Sequence, residues 1–226
     1  TAPGFETTGC ELGLEEVKEI LQWPECVSLG EMDPSKILGL KDEYLQKTEY
    51  AHTLGKICNG HAAGLTKQEL VAYACGGPTD DHECINFEDA FIRLRNGMSV
   101  LVREGSTEHN LDPIIKGVVA EKLETRNLMF CTDDKHPDDI IINGHINYMV
   151  NRSIELGIPP IQAIQMASLN AAQHFHIDHL VGSLTPGRWA DIILSEKLDV
   201  IVPKDVFVKG ELVAHDGSLV VSSPNR

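Results

Sequence analysis

Basic residues are scarce in this chain. Nineteen lysines and arginines stand against 34 aspartates and glutamates, a formal net charge of -15 over 226 residues. That balance excludes a general nucleic-acid surface or a surface for anionic membranes, because both need a basic patch. No run of about 18 apolar residues occurs, so no membrane span is expected. The opening "TAPGFETTGC" has neither the basic start nor the apolar stretch of a secretory signal. None of the six cysteines form a C-x-x-C pair, which argues against a zinc ribbon and a thioredoxin-like site. Cys26, Cys58 and Cys131 lie in apolar strand-like runs, where a free thiol packs as a small hydrophobe. The expected compartment is therefore reducing and cytoplasmic. No low-complexity segment and no G-x-G-x-x-G turn is present either.

What is there reads as an ordinary soluble globular protein, 42% hydrophobic and 23% charged. Apolar spacing predicts a helix over 12–23, a short strand "CVSLGE" closing on Glu31, and one long helix from Pro34 to Leu54. "GKICNGH" is a strand closing on His61. The helix after it is expected to be capped by Thr66, with Glu69 at capping-box spacing. A short extended piece ends at His82, a helix follows capped by Asn86, and "MSVLVREGS" is a strand ending in Arg103 and Glu104. Another helix leads to "NLMFCTDDKHPDD", a strand running into Asp133, and two further helices cover 145–157 and 159–175.

Alternating strand and helix predicts a parallel sheet buried on both faces. Strand ends at Glu31, His61, His82, Arg103 and Asp133 are spaced by 30, 21, 21 and 30 residues. Over 1–177 that rhythm fits a TIM (β/α)8 barrel, about 250 residues for eight units. A doubly wound sheet would fit the alternation too, but its G-x-G-x-x-G turn is absent here. From about Asp178, over 178–226, short apolar runs cut by Gly and Pro predict small antiparallel strands, a minor β domain or part of one.

A buried strand such as 128–131 should close on a bland turn, yet this one runs into acids and a histidine. In a barrel the strand ends meet at one mouth. Glu31, His61, His82 and Asp133 are therefore candidate ligands of a shared metal ion. Mixed imidazole and carboxylate donors suit zinc, manganese or iron. Each residue alone has a plainer reading. His61 is equally a solvated or capping residue, and His82 sits among Asp80, Asp81 and Glu83 as in a surface charge cluster. Glu31 is equally placed for the dipole of the helix starting near Pro34. Arg103 and Glu104 read as a simple ion pair.

"NGHAAGL", "DDHEC", "LVREGS", "CTDDKHPDD" and "ASLNAAQHF...GSLTPGRWADIIL" together resemble the bacterial adenine deaminases of the amidohydrolase superfamily, and "GFETTG" and "LGEMD" fit them too. The resemblance runs in order along nearly the whole chain. It implies a metal-dependent barrel beside a small β-sandwich, converting adenine and water to hypoxanthine and ammonia at a binuclear centre. Manganese is favoured there, with iron or zinc as alternatives. It also implies that Glu31 bridges both ions, that His61 and His82 hold one, and that Asp133 holds the other and shuttles protons. Arg103, Glu104 and Ser106 are expected at the purine edge. The partner is the small molecule adenine, and the full-length form is expected to be a homo-oligomer.

Two departures qualify this expectation. No H-x-H pair serves the family's first strand; "HFH" at 174–176 has the spelling but lies in the helical tail. "GEMDP" lacks the second Met usual after Glu-Met. The chain is thus expected to be an internal fragment of five or six barrel units, inactive alone. Two alternatives stay open: another metal-dependent amidohydrolase acting on a cyclic amide or purine, and a non-catalytic metal-binding fragment. The nucleic-acid-editing zinc deaminases are excluded by the missing P-C-x-x-C.

Overall fold

A computed structural model describes residues 9–222, so most of "GFETTG" lies outside the described residues. The chain folds as two units, Thr1–Thr79 and Asp80–Arg226.

The first unit opens with helix α1 (Leu14–Leu21), whose Glu15 and Glu16 lie in the first turn, where the helix dipole favours acids. Strand β1 (Ser28–Met32) pairs in parallel with β2 (Ile57–Gly60). Leu29 faces Cys58 while Met32 faces Gly60, so three steps on β1 span two on β2. Gly30 and Glu31 occupy the resulting bulge, a device that re-aims side chains. The long helix expected from Pro34 is two helices, α2 (Pro34–Leu38) and α3 (Asp42–Thr53). Between them Leu40 takes a left-handed φ of 50°. A non-glycine residue adopts that conformation only where its surroundings enforce it, and composition gives no hint of it. Helix α4 (Lys67–Cys75) carries the expected capping box between Thr66 and Glu69.

The second unit contains a three-stranded parallel sheet in the order β3 (Asp80–Asp81), β4 (Ser99–Arg103), β5 (Leu128–Cys131). Helices α5 (Phe87–Arg95), capped by Asn86 as expected, and α6 (Leu111–Ala120) connect the strands. They are followed by α7 (Pro137–Asn143), α8 (Ile146–Glu155), α9 (Pro160–Met166) and α10 (Leu169–His174). The single helix expected over 159–175 is therefore broken, with Ser168 outside helical geometry at φ -141°.

Val100, Val102, Leu128 and Phe130 from the strands pack with Ile114, Ile115, Val118, Met149, Ala163 and Met166 from the helices. These strands carry apolar side chains at successive positions because both faces are covered. Asn170 fastens α10 to the sheet by donating 2.8 Å bonds to the carbonyls of Thr125 and Leu128.

The last part of this unit is an antiparallel sheet of β6 (Ile192–Leu194), β7 (Asp205–Val208), β8 (Glu211–His215) and β9 (Ser218–Leu219). Asn151 of α8 pairs both its amide ends with the backbone of Ile201, giving 2.7 and 3.0 Å bonds. Across β7 and β8, His215 faces Asp205 in register and meets its carboxylate at 2.6 Å. The hydrogen bond to Asp205, then the charge of Asp216, raise the His215 pKa above its ordinary 6.5. Its stabilising contribution is thus complete below that ordinary value and is lost as pH rises through the folded value. His215→Asn is expected to lower the melting temperature at about pH 5.5 and to leave it unchanged at about pH 9. Thermal unfolding at the two pH values checks this.

All six cysteines are free thiols. Among the described residues no helix is long and apolar enough to cross a membrane.

Candidate metal and substrate site

In the first unit Glu31 and His61 come together at the ends of β1 and β2, with Oε2 3.6 Å from Nδ1. Tyr73 of α4, completely buried, accepts a 3.0 Å bond from the His61 N–H and donates to the Met32 carbonyl. One phenol therefore ties both strand ends. Tyr73 went unnoticed in the sequence because an apolar helix face is where a tyrosine is least conspicuous.

In the second unit Asp133 lies two residues beyond β5, rather than within it. Its φ is +53°, a left-handed pose that aspartate tolerates better than most residues. Donor atoms of His82, Glu83 and Asp133 all lie within 4.8 Å of one another. One imidazole nitrogen and two carboxylate oxygens so grouped fit a divalent ion with mixed N and O ligands.

Asp80 and Asp81 are not surface charges, as their spelling suggested. Asp81 is 0% and Asp80 1% exposed. Asp81 meets the Arg93 guanidinium at 2.8 Å, and Asp80 meets His174 at 2.6 Å. Their partners are 12 and 94 residues away, which is why a local reading mistook them.

Arg103 is buried, and its Nη1 and Nε are engaged. Its Nη1 donates to Glu83 at 2.5 Å and to Asp133 at 2.9 Å, and its Nε to Asn110 at 3.2 Å. Burial alone would lower its pKa, but Asp133 and Glu83 outweigh burial and hold it above the ordinary value. Glu104 is also buried, accepting from the Leu111 N–H at 3.1 Å and facing His109 at 2.9 Å. It lines a cleft of 530 Å³ with Lys135, Tyr148 and Arg152. Ser106 accepts from the His136 N–H at 2.8 Å and keeps its own hydroxyl proton to donate.

The loops after β4 and β5 are stitched together here. Ser106 N–H donates to the Asp134 carbonyl at 2.9 Å, and Lys135 donates to the Gly105 carbonyl at 3.2 Å. A Cβ on Gly105 would stand 2.7 Å from the Asp134 carbonyl and 2.9 Å from that of Thr132. Both obstacles are backbone, so Gly105→Ala must push the β5 loop away. We expect it to cost about 1–3 kcal/mol, the usual range for overpacking. Urea unfolding at wild-type stability would show instead that the loop yields freely.

Acids and histidines gathered just past the ends of parallel strands, in an α/β protein, form a donor set suited to metal-assisted chemistry. Solved structures share the fold. The β-aspartyl dipeptidase of Fervidobacterium islandicum AW-1 superposes with a TM-score of 0.69 at 16% identity, over 93% of this chain and 63% of that one. N-acetyl-D-glucosamine-6-phosphate deacetylase of Mycobacterium smegmatis gives 0.65 at 16% identity, over 94% and 65%. At such identities the likeness shows the fold alone.

Residues 14–213 match the family model described as "Amidohydrolase family", and the chain belongs to that family. Among its curated relatives, a protein named adenine deaminase in Desulforamulus reducens is 53% identical over 97% of this chain and 37% of its own length. Another of that name in Ruegeria sp. is 39% identical over 100% of this chain and 38% of its own. The chain thus spans well under half the length of these relatives.

Proposed function

We propose that the chain is the part of an adenine deaminase that carries most of its metal and base-binding residues. The reaction is adenine plus water giving hypoxanthine plus ammonia. The observation that carries this reading is the 53% identity to the D. reducens protein over 97% of the chain, a span that includes every strand end from Glu31 to Asp133.

In this reading residues 1–177 are a partial TIM barrel and 178–226 part of a small β-sandwich. Glu31, His61, His82 and Asp133 hold a binuclear centre, with manganese favoured over iron or zinc. Divalent ions held there would supply Lewis acidity, lowering the pKa of a water toward neutrality. Asp133 accepts the proton of the attacking water and returns it to the departing amino nitrogen. Ser106 donates its hydroxyl proton to the purine edge, and Glu104 accepts from the base. A contact of Arg103 with the purine rests on resemblance, since its guanidinium is already shared between Glu83 and Asp133. The full-length protein is a cytoplasmic homo-oligomer.

The test compares the 226-residue chain with a version joined to a family N-terminal segment that supplies H-x-H. Both are loaded with manganese and assayed for ammonia release from adenine. Turnover by the joined version supports the reading. A joined protein that folds and binds metal yet ignores adenine would move the substrate to another cyclic amide or purine.

A further inference from the structure

Arg103 stands where two carboxylates converge. One nitrogen, Nη1, donates to both Glu83 and Asp133, and Nε is fixed by Asn110. Nη2 is 3.7 Å from the more exposed Glu108. The guanidinium thus does for Glu83 and Asp133 what a metal ion would do: it offers positive charge to oxygens that otherwise repel. His82 lies against the same Glu83 oxygen at 3.4 Å. We propose that Arg103 is an internal cation that competes with the divalent ion for Asp133, and that Glu83 is the counter-ion moderating this competition.

This inference rests on the reading of Asp133 as a ligand. It assigns Glu83, despite its grouping with His82 and Asp133, to the arginine rather than to the ion. It also makes Arg103 a positioning residue, holding Asp133 in its left-handed pose through one carboxylate oxygen.

The two partners then have opposite effects. Removing the guanidinium leaves two acids facing each other, which destabilises the metal-free protein but makes the site more attractive to a cation. Removing the Glu83 charge leaves Nη1 with Asp133 as its one charged partner, and the ion must displace a stronger competitor. A merely structural pair would lose metal affinity on either substitution.

The experiment is manganese titration of the 226-residue chain, followed by loss of the free-ion electron paramagnetic resonance signal, with thermal unfolding of the metal-free protein alongside. Arg103→Met is expected to bind manganese about tenfold more tightly while melting lower, and Glu83→Gln to bind about tenfold more weakly. Arg103→Lys keeps the charge, so it should stay near wild type in affinity. Should Arg103→Met not fold, Arg103→Gln, which removes the charge but keeps an N–H donor for Asp133, carries the test and is likewise expected to bind manganese about tenfold more tightly.

Weaker binding by Arg103→Met, or unchanged binding by Glu83→Gln, overturns the proposal. So does a wild type that binds no manganese together with an Arg103→Met that binds none. Asp133→Asn separates the two readings. If it leaves binding intact, Asp133 is not a ligand and the proposed site itself fails. If it abolishes binding while the Arg103 and Glu83 variants move the wrong way, only the competition fails.

Discussion

Arg93→Met is expected to cost the second unit about 3–5 kcal/mol, the penalty for stripping one partner from a buried ion pair. Arg93 is 4% exposed, and its Nε is 2.8 Å from an Asp81 oxygen that Cys84 also approaches through sulfur at 3.9 Å. Burial would lower the Arg93 pKa, but Cys84 and Asp81 raise it overall. Methionine fills similar space and leaves the Asp81 carboxylate without its cation in a dry interior. Such a loss is a large part of the total stability of a typical domain, about 5–15 kcal/mol. Urea unfolding followed by circular dichroism measures it. The double variant Asp81→Asn, Arg93→Met should recover much of the loss, because the charge stranded by the single change is gone. A single variant as stable as wild type would mean that Asp81 finds water or another partner.

Asp133→Asn should abolish useful turnover. In the joined, manganese-loaded protein we expect ammonia release from adenine to fall by about 10²–10⁴-fold, the usual contribution of a positioned acid–base group. Asparagine preserves the shape, tolerates the left-handed φ, and can still accept from Arg103. The fold should therefore survive, as circular dichroism would show, while the metal ligand and the proton acceptor at Asp133 are lost together. Turnover within a factor of two of wild type would move the proton to another group.

Strand ends were legible because they break a local rule: a buried apolar run closing on ionisable residues has few plain explanations. The caps at Thr66 and Asn86 were equally legible, since the interactions that make them span three residues. Other features depended on partners distant in sequence. Asp80 and Asp81 looked like surface acids until His174 and Arg93 supplied their counter-groups. Arg103 and Glu104 looked like an ion pair with each other, whereas Arg103 serves Glu83 and Asp133 and Glu104 caps α6 through Leu111 N–H. The break at Leu40 has a different origin. Periodicity registers which residues are apolar, not a single φ angle that packing imposes.

The contact between Asp80 and His174 joins the first strand of the second unit to its last helix across 94 residues. Closing a loop of that length carries an entropy cost that local helices and neighbouring strands avoid. The β3–β4–β5 sheet can assemble stepwise from near neighbours, but this buried pair forms only after both ends of the segment have arrived. It is thus expected to form late in folding, so its loss should mainly quicken unfolding while leaving the refolding rate nearly unchanged.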